Sequence, residues 1–167
     1  EKVVSDVCGL HAQVPLTPYV SLWNRIEGLE HSMLDEALYK AKALVKIWCM
    51  RGTLHIVPSN DLPIYNKALK KMWFEQHGHL KDRPKWLSIK EIEDIVYPKI
   101  LEALSDKPLR RQELKARICS LLGNEPKPYE TLFSAWGGIL KETCYEGLTV
   151  HTQPCGAESC FARLDKW

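Results

Sequence analysis

The sequence predicts a mainly helical α+β fold with small β-hairpins, in which the same order of elements occurs twice. In each half of the 167-residue chain, segments with helical spacing of apolar residues precede a pair of strand-forming segments. A basic stretch with the composition of turns, residues 78–88, separates the two halves. We therefore expect two domains, residues 1–80 and residues 89–167, joined by a linker at residues 81–88.

The first half contains three predicted helices and a hairpin. Thr17 as N-cap and Pro18 in the first turn mark the start of the second helix, and Gly28 marks its end. The apolar residues then change from helical spacing to alternation, and Arg51–Gly52 forms a tight turn between two strands. The predicted elements are helices over residues 3–13, 17–28 and 32–39, strands over residues 45–50 and 53–57, and a further helix from residue 59 or 60.

The second half repeats this plan. Pro98 predicts a kink in its first helix, and Gly123 ends its second. The helices are predicted over residues 89–109, 110–123 and 129–141, and the hairpin over residues 148–165. Three helices followed by a hairpin make up a winged helix. The sequence therefore predicts tandem winged-helix domains, with residues 129–141 as the recognition helix of the second.

The amino-acid composition excludes some classes of protein but does not identify a function. The chain has 23 basic and 21 acidic residues, and its net charge of +2 neither requires nor excludes nucleic acid. No apolar run approaches the roughly 18 residues of a membrane span, and the first residues lack the features of a signal peptide. The six cysteines are too few for a disulfide scaffold and are expected to be reduced. We expect a cytoplasmic protein, nucleoid-associated in a bacterium or archaeon, with no membrane partner and an oligomeric state that the sequence does not indicate.

Cys155 and Cys160 raise the question of a metal site, with Cys144 and His151 upstream. The four residues between the two cysteines lie at the edge of zinc-site spacing, and the sequence has no second tight pair. The alternative is a β-turn that carries incidental cysteines. We favour the turn and expect neither a metal nor a cofactor.

Cations and hydroxyls near the helices of the second half are candidate contacts to DNA phosphates. Such groups suit an anion at a helix N-terminus because free N–H groups already point there. The candidates are Arg110, Arg111, Lys115, Lys127, Tyr129 and Thr131. For any one of them, the alternative is a solvated charged face. Residues 129–141 carry few base-reading side chains, so we expect contact to DNA shape and phosphates rather than sequence-specific readout.

A second group of polar residues comes from two segments of the first half. In "MRGTLHIVP", Arg51 lies at a turn, and Thr53 and His55 share one face of the following strand. In "GLHAQVP", His11 and Gln13 lie two positions apart. If the first helix packs over the hairpin, as in winged helices, these five side chains converge. The alternatives are ordinary surface residues on an edge hairpin and, for the first histidine, a helix-end residue hydrogen-bonded to a carbonyl group.

The segments "GLHAQVPLTPYVSLWNRI" and "LVKIWCMRGTLHIVPSNDL" resemble the winged-helix DNA glycosylases of the AlkZ/YcaQ type, which excise alkylated bases and unhook interstrand crosslinks. The resemblance is close over most of residues 3–70 and looser in the second half. Members of that family are much longer and have a third winged helix and a C-terminal β-domain. Both ends of this chain are also abrupt. We therefore expect a piece of a longer protein, with activity belonging to the longer protein rather than to this piece alone.

In that family, two polar residues of a short motif lie in a DNA-facing cleft and carry the chemistry. The resemblance places these roles on His11 and Gln13. Most members have glutamine at the first position, so His11 departs from the pattern and puts the substrate range in question more than the reaction type. The resemblance implies a monofunctional enzyme that hydrolyses the N-glycosidic bond of an alkylated or crosslinked purine in double-stranded DNA. No lysine occupies the motif, so a Schiff-base lyase step is not implied.

Two other functions fit the same fold. Tandem winged helices also serve as transcriptional regulators or non-catalytic DNA-binding modules, and many winged helices bind no DNA and contact proteins instead. The small number of base-reading side chains in residues 129–141 argues against a sequence-specific regulator.

Overall fold

The structure is a computed structural model that describes residues 1–77, 85, 87–123, 129–133, 138–156 and 158–167. Its α-helices are α1 (Lys2–Asp6), α2 (Thr17–Trp23), α3 (His31–Asp35), α4 (Leu62–His77), α5 (Ile89–Glu91), α6 (Tyr97–Ala103), α7 (Arg111–Leu121) and α8 (Ile139–Tyr145). π-helical segments follow α3 (Glu36–Lys40) and α5 (Ile92–Val96), and short 3-10 helices lie at Met50–Gly52, Ser59–Asp61, Tyr129–Leu132 and Leu164–Lys166. None of the helices in the described ranges is long and apolar enough to cross a bilayer.

Six strands form a single antiparallel sheet. They are β1 (Leu10–His11), β2 (Leu44–Trp48), β3 (Leu54–Pro58), β4 (Leu109–Arg110), β5 (Thr149–Cys155) and β6 (Glu158–Arg163), in the spatial order β1-β3-β2-β5-β6-β4. The two predicted hairpins are confirmed as β2–β3 and β5–β6. They are not separate, because β2 of the first half pairs with β5 of the second at Lys46 and His151.

The burial of β2 explains why the hairpins join. Leu44, Val45, Ile47 and Trp48 are all at most 5% exposed, so both faces of the strand are covered. A strand that is apolar on both faces belongs in the interior of a sheet, where its backbone groups pair on both sides. The second hairpin supplies the missing pairing partner, and the halves become neighbours along one sheet.

The hydrophobic core also joins the two halves. One cluster lies in the first half around Leu34 and Ile56, and a larger one lies in the second half around Ile100 and Leu114. A third cluster combines β2 and β3 with β5 and β6, and its members include Val45, Ile47, Val57, Val150 and Ala162. Burial of this shared cluster holds the sheet rigid across the junction and fixes how the residues of one half face those of the other.

The predicted first helix over residues 3–13 is wrong beyond residue 6. Cys8 and Gly9 have positive φ angles of 55° and 97°, which end the helix and turn the chain back. A side chain at Gly9 would place its Cβ 3.0 Å from Val57 Cγ1 and 3.3 Å from the Ile56 carbonyl oxygen. The chain then runs as β1 along β3, so His11 lies on a strand rather than on a helix.

Two further boundaries in the first half differ from prediction. Helix α2 includes Thr17, with Leu16 as N-cap and no side-chain capping bond, and it ends at Trp23 rather than at Gly28. The predicted third helix is confirmed by α3 and its π-helical continuation. The predicted turn at Arg51–Gly52 is confirmed as a 3-10 turn in which Arg51 has φ 56°.

In the second half, the predicted continuous helix over residues 129–141 is wrong in the part that the structure describes. A 3-10 turn covers Tyr129–Leu132, and α8 begins only at Ile139, after Gly138 with φ 51°, and continues to Tyr145. The predicted kink in the first helix coincides with the π-helical segment Ile92–Val96 just before Pro98.

Most of the predicted linker, residues 81–84 and 86, lies outside the described residues. Its last two residues belong to the folded structure. Leu87 is 2% exposed in the core of the second half, and the Ser88 hydroxyl accepts from the Glu91 N–H at 3.1 Å as the N-cap of α5.

Candidate nucleic-acid interface

Strand β1 fixes His11 and Gln13 against β3. The Ala12 N–H donates to the Leu54 carbonyl at 2.7 Å, and the Leu54 N–H donates to Gln13 Oε1 at 3.2 Å. The side-chain amide therefore continues the ladder where the backbone pairing stops. His11 lies opposite His55 in the ladder, and the two rings meet edge to face with centroids 5.4 Å apart. His11 is half-buried and Gln13 is exposed.

The predicted hairpin residues lie around the same end of β3. Arg51 is exposed at the turn, and the Thr53 hydroxyl donates to the Met50 carbonyl at 3.1 Å. His55 Nδ1 lies 3.0 Å from the Thr53 carbonyl, and because a carbonyl only accepts, that nitrogen carries the proton. The five polar residues of the first half thus lie at one end of the β1–β3 pair, where strand pairing rather than the expected helix brings them.

His55 differs from its partners in exposure. It is 5% exposed, which leaves little surface for a DNA contact. Burial lowers the pKa of His55, the hydrogen bond to the Thr53 carbonyl opposes this, and the nearby charges of His11 and Arg51 lower it further. A neutral, buried imidazole in edge-to-face contact with His11 serves to hold that ring in place.

A cleft of about 490 Å³ opens beside these residues, at the junction of the two halves. The first half contributes Gln13, Trp48, Gly52, Thr53 and Leu54 to its walls. The second half contributes Arg111, Gln112, Lys141, His151, Glu158, Ser159 and Phe161. The neutral amide of Gln13 therefore shares one cavity with two cations that come from the other half of the chain.

The predicted phosphate contacts of the second half separate in space. Arg111 lines the cleft, and Lys115 follows it one turn later on α7. Arg110 is exposed on β4, where its N–H donates to Glu113 Oε2 at 2.8 Å. Tyr129 packs against the core of the second half. Lys127 lies outside the described residues, as does the side chain of Thr131.

Sequence analysis missed Lys141 as a site residue. Lys141 is half-buried in the cleft, with Nζ 5.9 Å from the ring centroid of Trp48. Burial lowers the pKa of Lys141, and the neighbouring Arg111 lowers it further. Burial also lowers the pKa of Arg111, although Glu158 opposes that shift. Lys141 is the last residue of the predicted recognition helix, which was the available signal, but the pairing of β2 with β5 brings it into the same cleft as Gln13.

His151 forms part of the floor of the cleft. It is 4% exposed, and among the described residues neither ring nitrogen has a hydrogen-bond partner. Its ring packs against Trp48 and Phe161 with centroids 4.5 and 4.6 Å away. Burial first, and then the charges of Lys46 and Arg111, lower the pKa of His151 to about 3. The imidazole is therefore neutral at pH 7.

The side chain of Cys155, one of the two cysteines of the metal interpretation, lies outside the described residues. Among the described side chains, no group of three or more His, Cys, Asp or Glu residues is placed to hold an ion. Cys144, another of the proposed ligands, is 1% exposed and lies 3.4 Å from the Thr149 hydroxyl. Burial raises the pKa of the Cys144 thiol to about 12, so it is a protonated core residue.

The titration of His151 predicts that the protein loses stability in mild acid. An unfolded histidine takes up a proton below about pH 6.5, whereas the folded one does so only near pH 3. Between these values protonation favours the unfolded chain, so stability present above pH 6.5 is lost as the pH falls. His151→Phe removes this loss. Between pH 7 and pH 4.5 we expect it to lose about 2–3 kcal/mol less unfolding free energy than the natural protein, as measured by urea denaturation.

His31→Phe is the matched control because His31 is an exposed imidazole stacked on Tyr19. His31→Phe retains His151, so it should retain the loss of unfolding free energy that His151 causes between pH 7 and pH 4.5. Equal acid sensitivity of the His151→Phe and natural proteins would contradict the buried, neutral state of His151.

Residues 4–167, nearly the whole chain, match the family model described as DNA glycosylase AlkZ-like. The chain belongs to the AlkZ-like family, and the resemblance inferred from the two segments of the first half is confirmed.

The chain is also similar to two individual proteins, one in sequence and one in fold. The chain is similar to an interstrand DNA cross-link repair glycosylase of Streptomyces sahachiroi, with 24% identity over 169 residues that cover 95% of this chain and 42% of the relative. It is also similar in fold to the solved structure of Streptomyces sahachiroi DNA glycosylase AlkZ, with a TM-score of 0.77 and 22% identity over 97% of this chain and 43% of that one. The chain thus spans less than half the length of both relatives.

Proposed function

We propose that the protein containing this chain is a monofunctional DNA glycosylase that hydrolyses the N-glycosidic bond of alkylated or crosslinked purines in double-stranded DNA. The observation that carries the proposal is the placement of Gln13. Its amide is fixed to β3 by the Leu54 N–H and faces a cleft that contains Lys141 and Arg111. Family membership and the Streptomyces relative named for crosslink repair support the same reaction.

The chemistry needs little from the protein at the leaving group. An alkylated purine already carries positive charge, so its departure takes the bonding electrons and leaves a neutral base. The enzyme must then stabilise the cationic sugar and place a water molecule whose oxygen bonds to the anomeric carbon as its proton leaves. Gln13 Oε1 has a second lone pair that is free to accept from this water after it accepts from Leu54. His11 precedes Gln13 by two residues and pairs with His55 of β3, and we assign it the role of orienting the water or accepting its proton.

An uncharged side chain such as the Gln13 amide suits a position that faces DNA. The cations of the cleft favour the approach of the phosphate backbone, whereas a carboxylate beside DNA phosphates would be repelled. Arg51, at the exposed turn, is the first-half residue best placed for a phosphate contact. We infer no cofactor in this scheme.

We also propose that the two halves are tandem winged helices whose hairpins have joined edge to edge. The order of helices before each hairpin and the antiparallel β2–β3 and β5–β6 pairs support this interpretation. Because the substrate is cellular DNA, we expect the protein to act at the nucleoid in the cytoplasm.

The full-length protein should release the base from a duplex that contains one N7-methylguanine or one guanine crosslink. Heat or alkali would then cut the strand at the resulting abasic site, and the protein alone should leave the strand uncut because no lyase step is expected. The measurement is the fraction of cut strand against time, with an undamaged duplex as control. Binding without base release on either damaged duplex would contradict the glycosylase proposal and favour the non-catalytic DNA-binding alternative.

A further inference from the structure

We propose that Lys141, supported by Arg111, binds the DNA phosphate adjacent to the damaged nucleotide and thereby sets the position of the sugar against Gln13. This inference rests on the proposed function, because it names the part of the substrate that the second half of the cleft recognises. The first half would supply the reacting groups, and the second half the anchor.

Among the described residues, Lys141 has no carboxylate partner. It lines the cleft half-buried, and within the described residues it forms no ion pair with a carboxylate. Its charged neighbour is another cation, Arg111, and both groups have lowered pKa values because burial removes water from them. Two like charges drawn together in a partly dehydrated cavity create a positive potential that an anion would relieve.

Lys141 lies close to the candidate reacting groups. A Cβ added at Gly52 would lie 3.6 Å from Lys141 Nζ, so the ammonium group sits against the hairpin turn of the first half. Thr53 follows in sequence, and Leu54, which donates to Gln13, follows next. An anion bound at Lys141 is therefore held at the same rim of the cleft as the Gln13 amide.

A second observation indicates that the cleft takes a polar occupant. His151 in its floor is 4% exposed, yet its ring nitrogens have no hydrogen-bond partner among the described residues. Buried polar groups without a protein partner usually bond to water or a ligand, so a polar occupant of the cleft would suit this ring. The volume of about 490 Å³ is in the range of cavities that hold small ligands, and it exceeds what a water molecule needs.

The positive charges of the cleft favour binding of a phosphate over binding of the damaged base. A cationic alkylated purine would be repelled by Lys141 and Arg111, whereas a phosphodiester would be attracted. The base is then directed toward the side of the cleft that contains the uncharged Gln13 amide. Glu158 opposes the charge of Arg111, which leaves Lys141 as the main anchor.

The test measures DNA binding separately from base release. Full-length natural protein, Lys141→Ala and Lys141→Arg are titrated by fluorescence anisotropy against a duplex with a stable abasic analogue, over a series of salt concentrations. Loss of one phosphate contact should weaken binding by Lys141→Ala about tenfold and reduce the salt slope by about one, while Lys141→Arg stays close to the natural protein. The control is Lys67→Ala, which removes the same charge from an exposed position of α4 that does not line this cleft.

Neutral methylphosphonate linkages identify the phosphate. Two duplexes carry one such linkage each, on the 5′ or the 3′ side of the abasic analogue. At one of the two sites, the neutral linkage should weaken binding of the natural protein about tenfold but leave binding of Lys141→Ala unchanged, because that variant no longer contacts the phosphate. Additive losses at both sites, or equal behaviour of Lys141→Ala and Lys67→Ala, would overturn the proposal. Because these duplexes need no base excision, the outcome is independent of the glycosylase assay, and thermal melting of each variant separates lost binding from lost folding.

Discussion

Gln13→Ala should lower the rate of base release by the full-length protein about 100- to 1000-fold, as expected for removal of one fixed group at a reacting centre. The Gln13 carbonyl oxygen is held 3.2 Å from the Leu54 nitrogen, so its remaining lone pair points in a defined direction. Alanine removes the water contact and this anchor together. The measurement is the single-turnover rate on a duplex with N7-methylguanine at saturating protein.

Gln13→Glu retains both the water contact and the anchor, because a carboxylate still accepts from the Leu54 N–H and from water. Repulsion from the DNA phosphates should weaken binding, but at saturating protein we expect the rate to stay within about tenfold of the natural protein. Gln112→Ala is the matched control because Gln112 is an exposed glutamine that lines the same cleft. A rate for Gln13→Ala equal to that of Gln112→Ala, with both proteins folded and bound to DNA, would remove Gln13 from the chemistry.

The hairpins were predictable because their signals are local. Alternating apolar residues and the Arg51–Gly52 turn lie within a few positions of one another, and both strands form where expected. Strand β1 was not predictable in this way. It is only two residues long, too short to show an alternation of apolar and polar residues. It forms because the positive φ angles at Cys8 and Gly9 turn the chain toward β3.

The first-half polar residues lie near one another, but the condition on which this was expected, a first helix packed over the hairpin, is wrong. Pairing of β1 with β3 instead brings His11 beside His55 and Gln13 beside Leu54. The cleft itself needed a contact between distant parts of the chain. Lys46 and His151 pair across more than half of the sequence, and no pattern within either half indicates this register.

The same pairing explains the environment of His151. From sequence it is one residue of an alternating strand and a possible metal ligand. Once β5 lies between β2 and β6, the ring is enclosed by Trp48 and Phe161 and its pKa falls to about 3. Burial, and therefore charge state, is a property of the assembled sheet rather than of the strand's own residues.

His11→Ala should lower the single-turnover rate about 100-fold, the lower range for loss of a group that orients or deprotonates a nucleophile. His11→Gln should retain the rate within about tenfold, because a glutamine side chain also accepts a hydrogen bond from a water molecule. The edge-to-face contact with His55 at 5.4 Å fixes where the imidazole lies, and His55 is buried and neutral, so it supplies position rather than charge.

His31→Ala provides the matched control because His31 is an exposed histidine stacked on Tyr19, and it is absent from the lining of the cleft. It should leave the rate within about twofold, as expected for a substitution on the surface away from the site. If His11→Gln were as slow as His11→Ala on methylated DNA but both retained activity on crosslinked DNA, the histidine would set the lesion rather than the reaction. If His11→Ala matched His31→Ala on both substrates, base release would depend on Gln13 and the cleft cations without help from His11.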